Sequence, residues 1–131
     1  MVKTVHIVMQ GKGGAGKSLT SSILVQYLKY DDRLVEAFDL DPTTPTLSAI
    51  KSLGAVPVQI MDGDNINPRR FDELMTRIFE AEDGAHAVID TGTSSFIATC
   101  SYLAENNAFD LLQEFGIRVF IHCPLCGGAA L

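Results

Sequence analysis

The sequence has no tryptophan, three cysteines and five prolines, and it carries 10 lysines and arginines against 16 aspartates and glutamates. Each shortage excludes something. Cys100, Cys123 and Cys126 are an odd number and build no disulfide framework, so free thiols in a reducing compartment are expected. No run approaches the ~18 apolar residues of a membrane span. The N-terminus MVKTVHIVMQG is too short and too polar for a signal peptide, so the expectation is a cytoplasmic protein without membrane attachment. A net charge of −6 argues against broad, non-specific nucleic-acid binding, which needs a basic surface to displace condensed counterions. A local basic patch stays compatible with that balance.

What is present is globular: 47% hydrophobic and 20% charged residues in 131, with no internal repeat, linker or low-complexity block. This is one domain's worth of chain, residues 1–131, long enough for a core but short for a complete nucleotide-binding α/β fold. Val2 to Met9 reads as a buried parallel strand ending at a glycine cluster. Lys17 to Tyr30 follows with Leu19, Ile23, Leu24 and Leu28 at helical spacing.

Further strands are expected at Leu34 to Phe38, Val56 to Met61, Ala87 to Ile89 and Ile117 to His122. A short helix is expected near Leu47 to Leu53. Longer helices are expected at Arg69 to Ala81, behind the Asn67 N-cap and Pro68, at Ser95 to Glu105 and at Ala108 to Phe115. Strands alternating with helices imply parallel crossovers and a sheet of about five strands covered on both faces. Gly127-Gly128-Ala129-Ala130-Leu131 reads as the opening of another loop and helix, so the chain is expected to be the N-terminal portion of a larger domain.

The chemistry concentrates in QGKGGAGKSLT, Gln10 to Thr20. Gly11, Gly16, Lys17 and Ser18 match G-x-x-x-x-G-K-[ST], with an expected strand before the loop and an expected helix after it. Glycines let the loop turn its N–H groups inward, and the helix adds the positive end of its dipole. The expected cofactor-binding segment is Gly11, Gly13, Gly14, Ala15, Gly16, Lys17, Ser18 and Leu19. In this arrangement Lys17 reaches the β- and γ-phosphates of a polyphosphate and the Ser18 hydroxyl ligates Mg²⁺. Mg²⁺ also wants carboxylates, often through water. Asp90, closing AVID, fits that role, and Asp39 and Asp41 lie two apart at a strand end, on one side of the chain. One of that pair could order the metal's water shell while the other positions an attacking water. The plainer reading of both is solvated turn aspartates.

KGGAGKS at Lys12 to Ser18 resembles the deviant Walker A motif of the ParA/MinD group of P-loop ATPases, whose signature is an additional lysine early in the loop. The resemblance implies a three-layer P-loop NTPase fold and an ATP-dependent homodimer. It also implies that Lys12 reaches across the dimer to the partner's phosphates while Lys17 serves its own, and that Lys12, Lys17 and Asp41 are the catalytic set. DLDP at Asp39 to Pro42 is similar to the family's first switch, and DTG at Asp90 to Gly92 is similar to the segment whose glycine backbone senses γ-phosphate. The metal set it implies is Ser18, Asp39 and Asp90.

Two departures stand out. Thr43 replaces the glutamine common after DLDP in partition ATPases, and Gly92-Thr93-Ser94-Ser95 stands where many members have prolines. IMDGDNINPRRFDEL, VIDTGTSSF and SYLAENN are similar to a conjugal-transfer branch of the family, carried by plasmids and related mobile elements, and this likeness covers almost the entire chain. It implies components of the conjugation machinery as partners. The alternatives are a partitioning ATPase that rides on DNA, a MinD-like membrane cycle, for which no basic amphipathic helix is visible, and a non-catalytic interaction module.

Arg69 and Arg70 could meet DNA, an acidic partner or a phosphate, but a solvated helix turn is the plainer reading. Cys123-Pro124-Leu125-Cys126 has metal or redox spacing without a second cysteine pair, so it reads as ordinary loop thiols. His6 and His86 read as structural, and His122 alone supports no role.

Overall fold

The computed structural model describes residues 2–9, 16–41, 46–93 and 95–125. In chain order the elements are β1 (Thr4–Val8), α1 (Lys17–Tyr30), β2 (Val35–Asp39), α2 (Thr46–Ala49) with a 3₁₀ turn at Lys51–Leu53, and β3 (Val56–Pro57). They continue as β4 (Met61–Asp62), β5 (Asn65–Ile66), α3 (Pro68–Glu80), β6 (His86–Asp90), α4 (Phe96–Glu105), α5 (Ala108–Glu114) and β7 (Arg118–His122). Five strands form one sheet in the order β3-β2-β6-β1-β7 with every pairing parallel, while β4 and β5 make a separate antiparallel hairpin.

Parallel strands need crossovers, and the crossover helices cover both faces. On one face Val25 and Leu28 of α1 and Leu47 of α2 pack with Ala37 and Val88 of the sheet. On the other, Val5, Ile7, Phe38, Leu40 and Ile89 pack against Phe71, Leu74 and Ile78 of α3, Leu103 of α4 and Leu112 of α5. The fold is therefore the three-layer α/β arrangement of a P-loop NTPase domain. No helix among the described residues is long and apolar enough to cross a membrane.

Helix boundaries follow local chemistry. Asn67 caps α3, its side chain accepting from the N–H groups of Arg69 and Arg70, and Pro68 occupies the first turn, where its missing N–H costs nothing. Both arginines are exposed: Arg69 lies 3.7 Å from Glu73, and the Arg70 guanidinium donates to the Gln59 carbonyl. They serve the helix turn and the segment between β3 and β4.

One expectation is corrected. The strand expected over Val56 to Met61 is only two residues long in the sheet, because Pro57 cannot donate to a ladder and confines the strand to the edge. Met61 instead pairs with Ile66 in the hairpin, which turns through Gly63 at φ +63°. In α1, Leu19 and Ile23 are not core: they are 66% and 57% exposed, and the inward face carries Lys17, Ser21, Ser22, Val25 and Leu28. The helix expected over Lys17 to Tyr30 is observed with those bounds, with polar groups on the inner face of its first two turns.

The three histidines meet. In register, Thr4 lies beside His86 and Val8 beside His122, so His6 sits diagonally between them on the face that carries α1. His6 Nε2 is 3.0 Å from His86 Nδ1, and His6 Nδ1 is 3.0 Å from His122 Nε2. Ring centroids are 5.3 Å apart in both pairs, with interplanar angles of 17° and 26°. That spacing is the N···N distance plus a ring radius at each side, so the imidazoles meet edge to edge and nearly in plane. Each contact pairs a ring nitrogen that donates with one that accepts, the direction being set by the tautomers. A bridging ion would need two bonds of about 2.0–2.1 Å on this line, more than the gap provides. Among the described residues no group of three or more His, Cys, Asp or Glu side chains could hold a metal ion.

Candidate functional site

The β1–loop–α1 unit directs the helix N-terminus at the carboxyl ends of the strands, the usual crevice of an open α/β sheet. Gly16, at the N-cap of α1, has φ +90°, a left-handed conformation that only glycine adopts freely, and its carbonyl accepts from the N–H of Thr20. Gly11, Lys12, Gly13, Gly14 and Ala15 lie outside the described residues. Leu19 is in the first helical turn, so only its backbone, and not its exposed side chain, could serve a ligand in the loop.

Lys17 is 8% exposed and donates to Thr93 Oγ1 at 2.9 Å. Ser18 Oγ donates to Asp90 Oδ2 at 3.0 Å, and Ser21 Oγ donates to Asp90 Oδ1 at 2.9 Å. Four of these positions, Lys17, Ser18, Asp90 and Thr93, come from segments more than seventy residues apart in sequence. Parallel pairing of β1 and β2 to β6 brings the helix start and the β6 end together.

Asp90 is buried, and burial pushes its carboxyl up to about 6, the hydrogen bonds from Ser21 and Ser18 and the charge of Lys17 working the other way and Asp39 adding to the rise. Asp39 lies beside Asp90 in register. Both its oxygens are engaged: Oδ1 accepts from the N–H of Asp41 at 3.0 Å and Oδ2 from that of Ser48 at 2.8 Å. This ties the end of β2 to α2. Asp41 is half-buried and stands against Gly92, where an added Cβ would lie 2.9 Å from the Asp41 Cα. Any side chain at Gly92 would push the two strand-end segments apart. Pro42 and Thr43 lie outside the described residues.

Ser21 and Thr93 escaped the sequence reading. Ser21 sits beyond the phosphate-loop pattern, and only its i, i+3 spacing from Ser18 could have shown that both hydroxyls share one helix face. Nothing local signals Thr93, since its partner is 76 positions away. Removing the buried Ser21 hydroxyl leaves one Asp90 oxygen unpartnered, which costs about 1–3 kcal/mol. Ser21→Ala is expected to lower the urea midpoint at an unchanged m-value; a midpoint equal to that of the unmodified protein would mean water replaces the hydroxyl.

The titrations of His6 and Asp90 oppose each other. Burial, then His122, His86 and Arg118, hold His6 down at about 4 against 6.5 ordinarily. The unfolded chain therefore takes up that proton first, and stability falls as pH drops from 6.5 to about 4. Asp90 keeps its proton up to about 6 against 3.8 ordinarily, so its contribution rises as pH drops through that window. His6→Phe is expected to flatten acid destabilisation and Asp90→Asn to steepen it, read as unfolding midpoints between pH 7 and 4. Parallel curves for all three proteins would refute the assignment.

The segment GDNINPRRF forms the β4–β5 turn, β5 and the start of α3. With α4 it encloses an open cleft of about 830 Å³ whose lining includes Asp64, Asn65, Ile97, Tyr102 and Glu105. Among the described residues two carboxylates and no lysine or arginine line it, which does not suit a phosphate. A cation is found instead at the start of α1, where Lys17 donates to Thr93. Cys123 is exposed near the end of the described chain, and Cys126 lies outside it.

The oxygen donors at Ser18, Asp90 and Asp39 suit a hard cation such as Mg²⁺, and Lys17 with the α1 N-terminus suits polyphosphate. Among known proteins, two TraL proteins of Escherichia coli are 39% and 41% identical to this chain over 127 residues, 97% of it and 52% of each of them. The chain thus spans about half the length of these curated relatives. No solved structure matches significantly. The model of the CobQ/CobB/MinD/ParA nucleotide binding domain matches residues 6–119, from within β1 into β7 and across the whole site. By that match the chain belongs to the CobQ/CobB/MinD/ParA nucleotide-binding domain family.

Proposed function

We propose that this chain is the Mg-ATP-binding portion of a ParA-like dimerisation switch, slowly hydrolysing ATP, that serves conjugative DNA transfer. The observation that carries the nucleotide reading is the convergence of Lys17 and Ser18, at the start of α1, on Asp90 and Thr93 at the end of β6. Conjugation rests on the likeness to the TraL proteins.

In this reading Lys17 binds the β- and γ-phosphates, and Ser18 with Asp90 holds Mg²⁺, which neutralises phosphate charge. Ser21 keeps Asp90 oriented. Asp41, against Gly92, positions the attacking water, and Asp39 fixes the β2 end from which Asp41 projects. Lys12 reaches the phosphates of a second subunit, so γ-phosphate favours the dimer and hydrolysis removes that preference. Conjugation components that distinguish dimer from monomer would read the switch in the cytoplasm.

The test is a titration of a fluorescent ATP analogue with Mg²⁺, followed by light scattering with ATP and with ADP. Saturable, Mg-dependent binding and a doubling of mass with ATP alone are expected. Folded protein that binds no nucleotide would overturn the proposal, and binding without turnover or mass change would identify a non-catalytic interaction module.

A further inference from the structure

The β4–β5 hairpin stands apart from the main sheet, yet it is held firmly at its base. The Val58 N–H donates to the Asp39 carbonyl at 2.9 Å and the Asn67 N–H to the Ile60 carbonyl at 2.6 Å, with Ile60 only 1% exposed. Between these points the Gln59 carbonyl accepts from the Arg70 guanidinium. Across the cleft, α4 presents Ala98, Tyr102 and Glu105 at i, i+4 and i+7, one stripe of a helix. The Tyr102 ring is set by Phe71, 4.7 Å away between centroids and tilted by 57°. Both walls are therefore fixed before anything enters, which keeps the ordering cost of an occupant low.

The groove combines apolar side chains with an acidic rim. Met61 and Ile66 of the hairpin are half-buried, and Ile97 of α4 is a large apolar side chain 77% exposed. Asp64 in the hairpin turn and Glu105 at the end of α4 are exposed, and among the described residues no ion pair holds either carboxylate. The last turn of α4 carries no basic residue, so the negative end of the helix dipole adds to the Glu105 charge. Such a rim attracts cations and repels phosphate, which sets nucleic acid and anionic membrane aside for this face. From Ile97 to Glu105 the helix runs about 12 Å at ~1.5 Å per residue, the length of about four extended residues at ~3.3 Å each.

We infer that the groove between the β4–β5 hairpin and α4 is a docking site for an extended segment of a partner protein in which lysine or arginine alternates with apolar side chains. Charge complementarity carries the assignment. The cations meet Asp64 and Glu105, while the apolar side chains cover Ile97 and rest on Tyr102, so charge selects the partner and apolar burial holds it. The site uses none of the phosphate-loop residues, and it stands whether or not nucleotide binds.

The experiment follows the backbone amide resonances of the ¹⁵N-labelled protein during titration with three synthetic peptides, one alternating arginine with leucine, one glutamate with leucine and one arginine with serine. The arginine–leucine peptide is expected to shift amides within residues 59–66 and 97–105, and to bind less tightly as salt rises. The glutamate–leucine peptide should not bind, and the arginine–serine peptide should bind about tenfold more weakly or less. Reversing both rim charges, Asp64→Lys with Glu105→Lys, should cost about tenfold in affinity for the arginine–leucine peptide. Ala98→Trp, which fills the groove, should cost at least as much. Glu114→Lys, an exposed carboxylate on α5 outside the groove, should stay within about twofold.

An equal loss in Glu114→Lys, or shifts spread over other acidic faces, would mean general charge attraction and overturn the inference. Folded protein that answers to none of the peptides would overturn it too. A doubling of mass without peptide that the rim reversal abolishes would make the occupant a second copy of this chain, again refuting a basic partner. Circular dichroism of each variant verifies folding, which the two exposed rim carboxylates should not govern.

Discussion

Lys17→Ala is expected to abolish measurable nucleotide binding while the protein stays folded. Truncating one partner of a buried, hydrogen-bonded charge pair costs about 2–5 kcal/mol, which is roughly thirtyfold to several-thousandfold in affinity. Lys17 meets the condition, being 8% exposed at the head of a helix whose first turn is aimed at the strand ends. Stability should suffer little, since the ammonium is itself a charge whose burial costs free energy. Lys17→Arg should not restore affinity, because a planar fork does not replace a compact, buried ammonium. The measurement is the Mg-ATP analogue titration with circular dichroism on the same samples. Unchanged affinity in folded Lys17→Ala protein would remove the phosphate role of this lysine.

Lys12→Ala is expected to separate binding from turnover. If Lys12 acts on the partner subunit's nucleotide, its loss leaves affinity within about threefold and lowers hydrolysis and ATP-dependent dimerisation as removal of an arginine finger does, by about 10³-fold or more in rate. The reason is electrostatic: a cation supplied from a second subunit stabilises charge that develops on the transferring phosphoryl group and adds little to the ground state. Mixing decides between action in trans and in cis. Lys12→Ala protein binds nucleotide but lacks the donated cation, and Lys17→Ala protein has the cation but binds none. An equimolar mixture should recover part of the lost hydrolysis. A mixture as inactive as its components, from proteins that bind and fold as expected, would place Lys12 in its own subunit's site or outside the chemistry.

The smaller effects arise where the tertiary structure adds what a linear pattern omits. Ser21 and Thr93 became visible only when the end of β6 met the start of α1. The strand expected over Val56 to Met61 ran past its end at Pro57, because an apolar run up to Met61 carries no mark of where pairing passes from one sheet to another. The helix expected over Lys17 to Tyr30 is α1 with the same bounds, yet its apolar residues Leu19 and Ile23 face outward. Hydrophobic periodicity assigns the buried face to apolar residues, and here the buried face begins with Lys17 and two serines. The histidines, taken singly as structural, form one row only because register sets His6 diagonally between two neighbouring strands.

The sequence by itself determined the alternation of strands and helices, the end of β1 at the glycine loop, the Asn67–Pro68 start of α3 and the phosphate-loop pattern, all of which depend on residues a few positions apart. Local propensity, capping and spacing suffice for such features. Strand order, the partners of Lys17 and Asp90, the fit of Gly92 against Asp41 and the imidazole row were decided by the tertiary structure. Each joins residues from different strands or from opposite ends of a crossover, and their meeting depends on how a parallel sheet orders and registers its strands, a long-range packing result that no short window of sequence encodes.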